Sequence, residues 1–304
     1  MNPTRRQLLV AGAAAGSAAL LAACGDDKGS GTKVTNPGDT TPPAQRSDSE
    51  SLPNKFALVQ RFPNHPLFIP GQEARLPVSI TKQNGGLRDN GPATIKGWVE
   101  DLNKQKVVDL VATRHFDGIT NAYWVARALL PKAVVYTLRL EGDDGYGATF
   151  EVFDATDVDS PDTGTPMPPF DTPTKDNHRG VEPYCTLAPQ PCPFHQVTLT
   201  DALKSGKPVA YMVGTPAHCT TGTCSPGLQF LVAESTRVGD KMVCVHADVY
   251  TNNEATDVAP AVAALGVQYE PIIYFIDTTG TIVDRLDGIW DKSELRERVD
   301  LLLA

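Results

Sequence analysis

GKPVAYMVGTPAHCTTGTCSP, residues 206–226, decides how the C-terminal half of this chain is read. Pro208–Val213 is a fully apolar run of strand length, as expected of a strand covered on both faces. Two cysteines follow in a short loop, and Ser225-Pro226 then offers an N-cap and a first helical residue. A second apolar run begins directly after a proline in EPIIYFID, residues 270–277. Around these runs strand and helix patterns alternate. Val197–Leu199 reads as a short strand and Asp201–Lys204 as a helical turn. From Pro226 a helix carries Leu228, Leu231 and Val232 on one face. Lys241–His246 reads as a buried strand, and Glu254–Leu265 as a helix interrupted near Pro260. Ile272–Ile276 and Thr281–Leu286 form a hairpin around Thr279-Gly280, and Lys292–Leu303 closes as a helix. Residues 184–304 therefore make an α/β domain of about 120 residues, enough for a core of its own.

Cys219 and Cys224 are separated by Thr220-Thr221-Gly222-Thr223. On a regular helix a five-residue step turns about 500°, leaving the side chains about 140° apart, so the two can meet only in a loop. Gly222 gives that loop its freedom. Both sulfurs then lie near a helix N-terminus, where the partial positive charge favours thiolate. The order strand, cysteine loop, helix and later proline before a strand resembles the thioredoxin fold. There a redox cysteine pair sits between strand and helix, and a cis-proline faces it. The resemblance covers residues 184–304 only. It implies thiol–disulfide exchange or redox sensing, with Cys219 as the attacking thiol, Cys224 as its partner, and Glu270-Pro271 in the place of the cis-proline dipeptide. The loop departs from the family, whose members carry Cys-x-x-Cys, usually behind an aromatic residue. The peroxiredoxin pattern is absent too, because Thr215 lies four residues before Cys219, not three.

A carboxylate at Glu270 would oppose the helix effect or accept a proton. Cys244 and His246 alternate along one strand and so share a face. His246 stands at the strand's carboxyl end, the side where open α/β sheets bind ligands. A Cys219, Cys224, His246 set resembles the two cysteines and histidine of Sco-type copper proteins, which also have thioredoxin-like domains. Their histidine comes much later in the chain, and their cysteine spacing is one residue shorter. Copper binding or delivery is the alternative this implies. Cys244 alone reads as a small buried apolar residue.

Of six cysteines, Cys24 belongs to the N-terminal signal, leaving Cys185, Cys192, Cys219, Cys224 and Cys244. In an oxidising compartment two bridges and one leftover thiol are the natural count. Cys185 and Cys192 bound a proline-rich loop followed by Pro193-Phe194-His195. A structural disulfide between them is expected, with metal binding together with His195 as the other reading.

The N-terminus sets the compartment. Residues 1–24 read as an export signal: Thr4-Arg5-Arg6-Gln7-Leu8-Leu9 resembles a twin-arginine motif, and Leu21-Ala22-Ala23-Cys24 resembles a bacterial lipobox whose cysteine takes the lipid. Loss of Arg5 and Arg6 on cleavage takes the formal charge from -9 to -11. An acidic chain without basic clusters argues against nucleic acid as a partner. Attachment to the cell membrane is through acyl chains, on the extracytoplasmic face. Residues 25–54 form a Gly/Ser/Thr/Asp/Pro tether. Residues 55–153 hold seven short apolar runs between turn signals, which suggests an immunoglobulin-like β-sandwich. His65 and His115 within it have no partner ligands nearby. Residues 154–183 are a Pro-rich linker, expected to act as a semi-rigid spacer. Exported protein thiols or disulfides are the implied partners. A third reading is an interaction module in which both disulfides are staples.

Overall fold

A computed structural model describes residues 51–52, 55–82 and 84–304. The export signal, the Cys24 lipobox and nearly all of the tether lie outside these described residues. All seven apolar runs of the N-terminal region are strands: β1 (Leu58–Gln60), β2 (Glu73–Ile80), β3 (Thr94–Asp101), β4 (Lys106–His115), β5 (Tyr123–Leu129), β6 (Val135–Leu140) and β7 (Ala148–Glu151). They form one antiparallel sheet in the order β1-β2-β5-β4-β3-β6-β7, not the two facing sheets of an immunoglobulin-like sandwich. Phe153 N donates to Phe68 O, and Phe68 bridges Val152, so the segment after β1 runs beside β7 and curls the sheet towards closure. Curling removes exposed edges and encloses a core around Leu76, Trp124, Leu138 and Phe150.

The strand patterns explain what the sheet packs against. In β6 only alternate residues are buried, as for a strand with one wet face. In β2 every residue after Glu73 is buried. Leu76 and Val78 face the sheet's own core, while Arg75 points away from it to meet Glu294. From β5, Tyr123 and Val125 pack on Ile289 in the same way. The second face of β2 and β5 is thus covered by the C-terminal region.

That region comprises α1 (Leu199–Leu203), β8 (Val209–Val213), α2 (Cys224–Val238), β9 (Val243–Ala247), α3 (Pro260–Ala263), β10 (Ile272–Ile276), β11 (Ile282–Asp287) and α4 (Lys292–Leu302). Its sheet has the order β11-β10-β8-β9, with β8 and β9 parallel and the other neighbours antiparallel. This is a thioredoxin-like arrangement, with the cysteine loop between β8 and α2. Side-chain alternation separates two cores. Tyr211, Tyr274 and Ile276 face α1 and α3, whereas Met212, Ile273 and Phe275 face α2 and α4.

Three expectations change. Leu199 opens α1 instead of ending a strand, because Thr198 Oγ1 caps Asp201 N at 3.0 Å. Only Pro260–Ala263 of the Glu254–Leu265 stretch is helical. Before it the chain turns on Asn252, whose Oδ1 accepts from Thr256 N. The Pro-rich segment 154–183 is no spacer. Gly164 N and Met167 N donate to Ile282 O and Gly280 O, Ile282 N donates to Thr165 O, and Met167 is buried in the core. The segment covers the free edge of β11.

Candidate active site

The loop between β8 and α2 folds so that Cys219 and Cys224 form a disulfide with their Cα atoms 5.9 Å apart. Gly222 takes φ +68° inside it. The helix starts earlier than Ser225-Pro226 suggests, since Cys224 is already its first residue and Thr223 makes no side-chain cap. The sulfur takes over part of that role: Cys224 N donates to Cys219 Sγ at 3.2 Å. A helix-terminal N–H aimed at a sulfur favours its anionic form. Thr221 Oγ1 lies 3.1 Å from the same sulfur, and the hydroxyls continue through Thr223 to Gly288 O.

The two cysteines differ in access. Cys219 is half-buried, whereas Cys224 is fully buried. Glu270-Pro271 stands opposite the pair, and its peptide bond is cis. Glu270 Oε2 accepts from Thr215 N and lies 3.6 Å from Cys224 Sγ. Burial raises the Glu270 pKa above its ordinary value, against the opposing hydrogen bonds from Thr215. Gly214 makes the close approach possible: a Cβ there would lie 3.3 Å from Pro271 Cβ and 3.6 Å from Cys224 Cβ. Beside the loop opens a cleft of about 620 Å³, lined by His218, Thr220, Tyr250, Tyr269 and Glu270, and by Arg61 and His65 of the N-terminal region. His218 Nε2 is buried there without a hydrogen-bond partner. His65 stacks on Tyr269, and His115 pairs with Asp291 at 3.3 Å.

His246 does not join this pair, so the copper set Cys219, Cys224, His246 is not assembled. It lies in a second, closed cluster with Cys185, Cys192 and His195, all four buried and their ligand atoms within 4.8 Å of one another. The expected Cys185–Cys192 bridge is not formed, and both residues are free thiols. His246 Nδ1 is 3.8 Å from Cys185 Sγ, 3.6 Å from Cys192 Sγ and 3.2 Å from His195 Nε2. Cys192 N donates to Cys185 Sγ. The contact between the thiols favours ionisation of Cys185 and pushes Cys192 up, so the pair titrates as a unit. Asp248, which the sequence reading missed, lies just beyond β9, and burial pushes its pKa up to about 7. Its position two residues after His246 was the available signal. Cys244, on the same strand, is raised to about 12 by burial alone.

No protein-family model matches this chain, and no curated protein matches it. Among solved structures it is similar to a protein assigned as a thiol:disulfide interchange protein DsbE from Chlorobium tepidum. The two are 17% identical with a TM-score of 0.35, over 48% of this chain and 100% of that one. A thiol:disulfide interchange protein of the thioredoxin family from Chlorobium tepidum TLS gives 15%, 0.32, 48% and 100%. A protein assigned as a disulfide isomerase from Bacteroides thetaiotaomicron gives 17%, 0.30, 47% and 90%. These values are too low to carry chemistry to this chain, so the role of its cysteines rests on their surroundings.

Proposed function

We propose that this protein carries out thiol–disulfide exchange through Cys219 and Cys224. The observation that carries the reading is the asymmetric pair itself: a partly accessible Cys219 beside a cleft, and a buried Cys224 against Glu270 and Pro271. In the reduced protein the Cys219 thiolate attacks one sulfur of a substrate disulfide and releases the other as a thiolate. Glu270 takes the proton of Cys224, whose sulfur then attacks Cys219 Sγ and expels the second substrate thiolate. The substrate disulfide gains two electrons and the Cys219–Cys224 bond is re-formed. Run backwards, the same steps oxidise a dithiol.

The setting is extracytoplasmic, with a lipid on Cys24 holding the chain at the membrane; the Arg5-Arg6 and Leu-Ala-Ala-Cys motifs support it. Exported protein thiols or disulfides are then the substrates. Titration against redox buffers tests the reading. An exchange-active pair has a potential of roughly -270 to -120 mV, whereas structural disulfides lie below about -300 mV. Resistance to reduction beyond that lower value would leave a staple in an interaction module. Cys224→Ser should accumulate a mixed disulfide on Cys219 with a disulfide substrate.

A further inference from the structure

Cys185, Cys192 and His195 of one loop meet His246 of β9 at one point, and the thiol chemistry above uses none of them. We propose that they form a structural zinc site, closed by four protein ligands. The first support is shape. A tetrahedron with Zn–S of about 2.3 Å and Zn–N of about 2.0 Å has edges of roughly 3.8 Å between sulfurs, 3.5 Å between sulfur and nitrogen and 3.3 Å between nitrogens. The sulfur-to-His246 Nδ1 distances are 3.8 and 3.6 Å, and the two imidazole nitrogens are 3.2 Å apart. The three edges that meet at His246 Nδ1 thus match those of a zinc tetrahedron, and all four ligand atoms lie within 4.8 Å of one another.

The second support is the outer shell. His195 Nδ1 faces Pro173 O at 3.1 Å, and His246 Nε2 faces Gly214 O at 2.8 Å. Carbonyls only accept, so these nitrogens carry the ring protons. With both rings neutral, as metal ligands must be, the lone pairs of His195 Nε2 and His246 Nδ1 point at each other across 3.2 Å, an arrangement that a cation between them satisfies. Metal-bound histidines characteristically donate their other N–H to a backbone carbonyl or carboxylate in this way. Cys192 N donates to Cys185 Sγ at 3.4 Å, which favours the thiolate a metal needs.

Charge selects the ion. Tetrahedral S₂N₂ donor sets suit zinc, and two thiolates neutralise a dication in a site buried from solvent. A monovalent copper ion would leave two thiolates with an uncompensated negative charge in a buried site. Binding replaces two thiol protons: Zn²⁺ enters and two H⁺ leave. None of the four residues is exposed, so no position is open for a substrate. The ion's role is to pin the loop 185–195 and the end of β9 together.

The experiment uses the full chain, isolated without added metal and analysed for zinc and copper. One zinc per chain is expected, retained in the Cys219→Ser/Cys224→Ser double variant and reduced to traces in Cys192→Ser and in His246→Ala. X-ray absorption of the wild-type protein should show two sulfur and two nitrogen neighbours at about 2.3 and 2.0 Å, which decides the matter even where a variant fails to fold. A protein free of metal with Cys185 and Cys192 mapped as a disulfide overturns the site. Copper bound in preference to zinc overturns the choice of ion.

Discussion

At the residue scale, Cys219 and Cys224 differ through what surrounds each sulfur. Cys219 receives the helix-terminal N–H of Cys224, which favours its thiolate. Cys224 Sγ lies 3.6 Å from Glu270 Oε2, which in the proposed exchange takes its proton. Burial raises Glu270, so the carboxyl keeps its proton to a higher pH than an exposed glutamate and accepts one more readily. Glu270→Gln removes that acceptor without changing volume. Mixed-disulfide formation at Cys219 should be little altered, while its resolution by Cys224 should slow by about 10²-fold, the low end of what a positioned base contributes. Stopped-flow kinetics with a disulfide substrate separate the two steps. Equal slowing of both would remove Glu270 from the proton path. Glu270, Pro271 and both cysteines were legible in the sequence because the loop and the apolar run after proline are local patterns. The partner of His246 was not. Its face on β9 was readable from alternation, but which cysteines fold over that face depends on the path of residues 184–195 across the sheet end.

At the scale of elements, local apolar patterning placed every strand of both sheets, because periods of two and unbroken buried runs survive in any tertiary setting. It failed where a cap or a neighbour decides. Thr198 turned an expected strand end into a helix start, and Asn252 replaced half of an expected helix with a turn. The number of N-terminal sheets was invisible for a related reason: curling depends on long-range bridges such as Phe68 with Val152, which no strand encodes alone. Asp291 shows how much one cap can hold. Its side chain accepts from Glu294 N at the start of α4 and from Phe116 N and Asp117 N of the N-terminal region. Asp291→Ala should lower stability by about 2 kcal/mol, the upper range for losing an N-cap, since two further N–H groups are stranded with it. Urea unfolding measures this. A loss of only a few tenths would mean that water replaces all three bonds.

At the scale of the whole molecule, the N-terminal sheet and the C-terminal region are joined by a buried polar network in place of the expected semi-rigid spacer. Arg75 of β2 binds both oxygens of Glu294 at 2.7 and 2.6 Å and donates to Asp287 O and Ile289 O. Tyr123 OH donates to Glu294 and accepts from Asp291 N. This holds Arg61 and His65 in the wall of the cleft beside Cys219, so the N-terminal region contributes one side of that cleft. Glu294 is fully enclosed; burial alone would raise its pKa, but the Arg75 guanidinium reverses that and holds it below the ordinary carboxylate value. A depressed folded-state pKa adds stability that is present above the unfolded value and lost as pH falls through the folded one. The joint should therefore hold at neutral pH and weaken progressively once the pH falls below about 4, the ordinary glutamate value. Glu294→Gln should cost about 3 kcal/mol at pH 7 by leaving Arg75 buried without its partner, and the difference from wild type should shrink as the pH is lowered. Replacing both residues, Arg75→Met with Glu294→Leu, should recover much of the loss. Chemical denaturation at pH 7 and at pH 3 measures all of these. A penalty for Glu294→Gln that persists unchanged at pH 3 would show that shape and packing, not the ion pair, hold the two parts together.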